Sequence, residues 1–179
     1  AKRFPKPKSW WSWEQGQKAY EMMSCYDGLA ELYRTEENDS YLQACTNLAQ
    51  NIIDTEINIV GGGSSVECWY SGKENQIVNA FRQNETCVTM TWMKFLFQIY
   101  KLTGDPTYID QIERTVYNVL PASMYNDGST FAKYTPLTGL HTHGEDQCGM
   151  HINCCTANGP RAFMLLPQIA YMKDDRGIV

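Results

Sequence analysis

The feature that most constrains this chain is an internal repeat. Leu32-Tyr33-Arg34 followed by Tyr41-Leu42 recurs as Ile99-Tyr100-Lys101 followed by Tyr108-Ile109, at an offset of 67 residues. At the same offset Cys45 matches Ile112, Ala49 matches Val116 and Ile52 matches Val119. Each copy reads as two amphipathic helices joined by a polar turn. Gln17 to Tyr33 places Ala19, Met22, Met23, Tyr26, Leu29, Ala30 and Tyr33 at helical spacing, and its partner runs from Tyr41 to about Glu56 with Asp39 or Ser40 as cap. In the second copy, Glu85 to Leu102 turns at Thr103-Gly104-Asp105-Pro106 into Tyr108 to Ala122, with Gly as stop and Pro as start. A further helix is predicted from Thr156 to Met172, with Pro160 in its first turn and Pro167 kinking or ending it. Repeated antiparallel helix hairpins predict an all-α solenoid or a closed α/α toroid.

Composition narrows the partners. With 179 residues, 43% hydrophobic and 12% aromatic, residues 1–179 are expected to form a single domain with a buried core. A formal charge of -5 argues against a nucleic-acid surface, and Lys2 to Lys8 reads as a short solvated arm. No apolar run approaches the roughly 20 residues that span a bilayer, so no membrane partner is expected. The opening Ala1-Lys2-Arg3-Phe4-Pro5 lacks the apolar segment of a signal peptide. A processed or truncated product would lack it too, which leaves the compartment open between periplasm and cytoplasm.

Seven cysteines are an odd number for a disulfide framework. Cys25 and Cys45 sit inside helical patterns and read as core thiols. Cys68, Cys87, Cys148, Cys154 and Cys155 fall in or beside two irregular segments, Asn58 to Asn84 and Asn126 to Asn153. The repeat offset of 67 residues also connects Cys87 to Cys154, each at the start of the first helix of its hairpin. First helices of neighbouring hairpins run parallel, so these ends should lie side by side. Glu85 is two residues from Cys87 and Cys155 follows Cys154, so four potential ligands converge on one point. A helix N-terminus favours thiolate, and thiolate with one carboxylate suits tetrahedral Zn²⁺. Spacing alone is weak evidence, because it also fits two buried thiols, a capping Glu and an accidental vicinal pair.

Glu85-Thr86-Cys87, followed by Cys154-Cys155-Thr156-Ala157-Asn158-Gly159-Pro160-Arg161, resembles the Glu-Thr-Cys and Cys-Cys-x-x-Asn-x-x-Arg signatures of glycoside hydrolase family 127, the β-L-arabinofuranosidases. The likeness runs from about Gly16 to about Leu166. It implies part of an (α/α)6 barrel, a carbohydrate substrate and a Zn²⁺ ion held by Glu85, Cys87, Cys154 and Cys155. Cys154 would also be the nucleophile of a retaining mechanism. The acid/base carboxylate is expected on the loop before Glu85, where Glu67 is the choice and Glu74 the rival. Trp69 and Tyr70, beside Glu67, would stack on a sugar or simply be buried.

Among the loop histidines, His151 is the better candidate for substrate hydroxyls over His141 and His143; Asn158 would cap a helix and Arg161 would support the site. Relatives often carry a histidine near the start of the first matched helix, where this chain has Gln17-Lys18. Six hairpins need far more than 179 residues, so the chain reads as a central slice of a larger catalytic domain. Its exposed helix faces would then meet the rest of that chain or a second copy. The competing expectation is a non-catalytic helical-repeat domain that binds carbohydrate or protein and keeps its cysteines for structure.

Overall fold

The computed structural model describes residues 18–77, 82–147, 149–174 and 177–178. The Lys2 to Lys8 arm, Gln17 and Cys148 lie outside the described residues. In chain order the helices are α1 (Ala19–Glu36), α2 (Asp39–Thr55), the single turn α3 (Gly72–Asn75), α4 (Thr86–Thr103), α5 (Thr107–Tyr117), the short α6 (Val119–Ser123) and α7 (Cys154–Ala170). Two-residue strands β1 (Lys173–Asp174) and β2 (Gly177–Ile178) pair antiparallel after α7. The described chain is all-α in its packing elements, as the repeat predicts. None of the described helices is long and apolar enough to cross a membrane.

α1 with α2, and α4 with α5, form the two hairpins, and α7 opens a third. Lys94 Nζ lies 2.7 Å from Asp27 Oδ2, and Arg34 donates to Gln98 Oε1 at 3.3 Å. Residue numbers rise together across these pairs, so α1 and α4 run parallel. Asp27 and Lys94 are themselves one repeat apart, which places equivalent positions of the two copies in contact. α4 touches α1, α5 and α7. A helix covered on so many sides must be apolar almost all round, and Val88, Trp92, Met93, Phe95, Leu96 and Ile99 are all buried.

Three helix boundaries differ from the sequence expectation. Asn38, not Asp39 or Ser40, caps α2, its side chain accepting from the Ser40 amide at 3.1 Å. The predicted helix from Tyr108 to Ala122 breaks at Asn118. Pro121 explains the break, because in a continuous helix its ring would collide with the carbonyl of Tyr117, where α5 ends. α7 begins at Cys154 rather than Thr156, because Asn153 accepts from the Cys155 amide at 3.0 Å. Pro160 therefore sits in the helix interior instead of its first turn, and α7 continues past Pro167 to Ala170. Cys45 is buried as expected, but Cys25 is exposed.

α7 packs tightly where it has no side chain to offer. A Cβ added at Gly159 would overlap the ring of Phe131, which is itself buried. Helix propensity alone makes Gly159→Ala stabilising by about 1 kcal/mol. Overpacking predicts instead a net loss of about 1–3 kcal/mol in chemical denaturation, and a gain would mean that Phe131 moves aside freely.

Candidate metal centre and active site

The starts of α4 and α7 lie together, and each presents a cysteine at its second helical residue, Cys87 and Cys155. Their sulfurs are 3.0 Å apart, and both residues are buried. The equivalence is thus Cys87 with Cys155, one residue off the repeat offset that pairs Cys87 with Cys154. Cys154, at the first helical residue, is the exposed member of the trio. Its amide donates to Gln147 Oε1 at 2.8 Å. Asn153 and Thr156 complete a reciprocal capping box that holds this turn.

Glu85 occupies the N-cap of α4 yet makes no side-chain cap hydrogen bond. Its carboxylate turns toward the sulfurs, with Oε1 3.7 Å from Cys155 Sγ. The residue is 3% exposed, and Oε2 has no hydrogen-bond partner. One ligand atom from each of Glu85, Cys87, Cys154 and Cys155 lies within 4.8 Å of the others. A buried carboxylate oxygen without a partner is costly unless a cation answers it. Three sulfurs and one carboxylate are a donor set that fits a tetrahedral ion such as Zn²⁺. The four residues named from the sequence are brought together.

Protonation follows from that crowding. Burial pushes the Glu85 carboxyl up to about 8, helped by the negative charges of Glu67 and Cys154. Cys154 is held far below the usual thiol range by hydrogen bonds from the Cys155 and Cys87 thiols, with Lys133 adding its positive charge. Cys87 and Cys155 are raised in turn, chiefly because they serve as those donors. Asn158 Nδ2 lies 3.0 Å from Cys87 Sγ, and Arg161 donates to Asn158 Oδ1 at 3.0 Å, which places both downstream signature residues in support of the cluster.

The cluster opens into a cavity of about 250 Å³ whose walls include Lys18, Tyr20, Glu67, Glu85, Cys154 and Asn158. Glu67 reaches it from a tight turn in which Ser65 and Cys68 exchange backbone hydrogen bonds of 2.8 and 3.0 Å. The two central residues have positive φ, 48° at Val66 and 68° at Glu67. Asn-Gly usually fills such a turn, and a β-branched residue there is strained. The Glu67 carbonyl also accepts the first helical amide of α1, from Ala19 at 2.8 Å, so the turn and α1 hold each other. Glu67 Oε2 lies 2.8 Å from Lys18 Nζ and Oε1 3.4 Å from Lys133 Nζ.

The other sequence candidates lie away from this cavity. Glu74 lines a separate cavity with Asp54, Ser71 and Lys73. Trp69 and Tyr70 are each 3% exposed and do not face the sulfur cavity. Glu56 Oε2 accepts the amides of Tyr70, Ser71 and Gly72 at 3.0, 2.7 and 3.2 Å, which draws this strand of the loop inward. Trp69 joins the hydrophobic core, and the Tyr70 hydroxyl accepts from Gln83. His151 is also outside the cavity, its side chain 97% exposed and 3.8 Å from Asp146 Oδ2. His141 contacts Ala122 O and the Tyr125 ring, and His143 contributes its carbonyl to Asn153. Lys133 and Asn153 have no part in the sequence expectations, and Lys18 enters there only with Gln17 as a departure from the relatives' histidine. Asn153 carried a signal, since Asn-Cys-Cys-Thr is an N-cap pattern; Lys133 carried none.

Val66→Asn, which accepts positive φ more readily, is expected to raise stability by about 1 kcal/mol in denaturant unfolding. An unchanged or lower stability would show that the turn is not strained.

The residue pattern and geometry agree with the comparisons. Residues 12–168 match the family model described as Beta-L-arabinofuranosidase, GH127 catalytic domain. A search of curated proteins gave no match. Among solved structures, a GH127 β-arabinofuranosidase is similar at a TM-score of 0.67 and 26% identity, over 88% of this chain and 25% of that one. A GH127 β-L-arabinofuranosidase from Geobacillus stearothermophilus T6 is similar in fold at 0.68 and 22% identity, over 90% of this chain and 28% of its own. A third structure, titled a glycoside hydrolase, gives 0.66 and 18% over 91% and 31%. This chain thus spans about a quarter to a third of the length of these neighbours, as a helical segment of an (α/α)6 barrel. The chain belongs to the GH127 β-L-arabinofuranosidase catalytic-domain family.

Proposed function

We propose that this chain is the central slice of a larger single catalytic domain, and that the whole protein is a retaining glycoside hydrolase. Its substrate would be a carbohydrate bearing a terminal β-L-arabinofuranoside-like sugar. The observation that supports this best is one cavity wall shared by an exposed Cys154 and the carboxylate of Glu67, above three buried donors. Glu85, Cys87, Cys154 and Cys155 would hold Zn²⁺. When bound, the ion keeps sulfur deprotonated at neutral pH.

In the first step, the Cys154 sulfur forms a bond to the anomeric carbon while the glycosidic C–O bond breaks. Glu67 delivers its proton to the departing oxygen. Water then gives a proton back to Glu67, and its oxygen bonds the same carbon. The S–C electron pair returns to Cys154, and two inversions leave the configuration retained. A set of purely structural thiols would not need a buried carboxylate with an unpartnered oxygen at its centre.

The test uses the full-length protein that carries this chain and an activated aryl furanoside. Mass spectrometry of quenched reactions is expected to find one sugar on Cys154, accumulating further in Glu67→Gln. Cys154→Ser should lose at least about 10³-fold in kcat. Cys87→Ser should lose bound metal. Undiminished hydrolysis by Cys154→Ser, or an adduct on another residue, would overturn the nucleophile.

A further inference from the structure

The two ammonium groups on Glu67 are not equivalent. Lys18 is a cavity-wall residue whose side chain is 36% exposed, and it holds Oε2 at 2.8 Å. Lys133 lies behind the cavity with a side chain 5% exposed, and it faces Oε1 at 3.4 Å. Lys133 is held at its backbone amide and carbonyl, at its Nζ and along its stem. Its carbonyl accepts the Thr86 amide at 3.0 Å at the start of α4, and its amide donates to Thr142 O at 2.8 Å. Its Nζ also donates to Glu145 Oε2 at 3.1 Å, and Glu145 pairs with Arg82. The backbone of Gly144 lies flat on its stem, so closely that a Cβ there would come within 2.6 Å of Lys133 Cδ. The same carbonyl is 3.9 Å from Cys155 Sγ, so Lys133 is built onto the cysteine platform itself.

A buried ammonium is costly to strip of its partners, and Lys133 sits between Glu67 and Glu145 with its stem packed against Gly144. That packing holds Lys133 against Glu67 Oε1, whereas Lys18, which also lies 3.4 Å from Glu21 Oε1, stands on the cavity wall with its side chain 36% exposed. We infer that Lys133 is a positioning residue that anchors Glu67 Oε1, leaving Oε2 as the oxygen that exchanges the proton with substrate and water. This deepens the acid/base reading of Glu67 and rests on it. The proton carried by Oε2 goes to the leaving oxygen in the first step and is restored from water in the second, as above. Lys133 neither gains nor loses a proton.

The distinguishing readout is leaving-group dependence, since a displaced acid harms poor leaving groups and spares those that depart unprotonated. In the full-length protein, Lys133→Met is expected to lower kcat/KM on the order of 10²-fold for alkyl glycosides and by less than about fivefold for dinitrophenyl glycosides. Lys133→Arg should restore most of the loss, and bound metal should be unchanged in both. Lys18→Met should show a loss of similar size on both substrates. A loss by Lys133→Met that is equal for both leaving groups, or none at all, would overturn the inference. So would steep dependence in Lys18→Met. If Lys133→Met does not fold, Lys133→Gln, which also removes the charge, carries the same test through its own leaving-group slope, and a flat loss there overturns the inference. Glu67→Gln run alongside separates the two levels: a steep slope there with a flat one in Lys133→Met sinks only the anchor, and a flat slope in Glu67→Gln sinks the acid/base reading with it.

Discussion

The packing of α4 beside α7, start against start, is the contact on which the site depends. Four donor groups come from the N-cap and second residue of one helix and the first two residues of the other. Neither helix could assemble the set alone. The pair also brings two helix N-termini to one place, so their dipoles and amides favour negative charge there. Asn158, one turn into α7, reaches across to Cys87 Sγ and ties the two helices at the level of the sulfurs. Repeat architecture makes this economical, because neighbouring hairpins bring equivalent positions into contact by construction, as Asp27 and Lys94 do between α1 and α4.

The loops supply what the helices cannot. Glu67 stands on a turn whose central residues both adopt positive φ, and backbone strain of this kind costs about 1–3 kcal/mol per residue. The hydrogen bond from Ala19 to the Glu67 carbonyl, those from Val66 to Arg82 and from Asn84 to Ser64, and the inward pull of Glu56 on residues 70–72 help to hold the turn in place. The second loop passes the start of α4 at Thr86, whose amide and hydroxyl bond the carbonyls of Lys133 and Ala132. The carboxylate and the sulfurs are therefore positioned by one connected set of backbone contacts.

Much of this was legible in the sequence, and the limits have physical causes. The hairpins were readable because apolar spacing repeats wherever a helix buries one face. The four donors were readable because the repeat carries Cys87 to the vicinal pair. Helix starts were less so: Asn38 and Asn153 each lay one residue ahead of another polar candidate or an apolar run, and a cap is decided by one side-chain hydrogen bond. Trp69 and Tyr70 were ambiguous because aromatic rings serve a core or a sugar equally well. Glu56, which draws the backbone of residues 70–72 inward, acts from fourteen to sixteen residues away. Lys133 was invisible because its contacts with Glu67, Glu145 and the start of α4 exist only after three separate segments fold together.

The central claim is that one ion gathers a carboxylate and three sulfurs drawn from two helix starts. X-ray absorption at the zinc edge, on the full-length protein purified under reducing conditions, addresses that claim most directly. The account predicts one zinc per chain with three sulfur neighbours at about 2.3 Å and one oxygen at about 2.0–2.2 Å. A protein without stoichiometric metal, or a shell made only of nitrogen and oxygen, would contradict it.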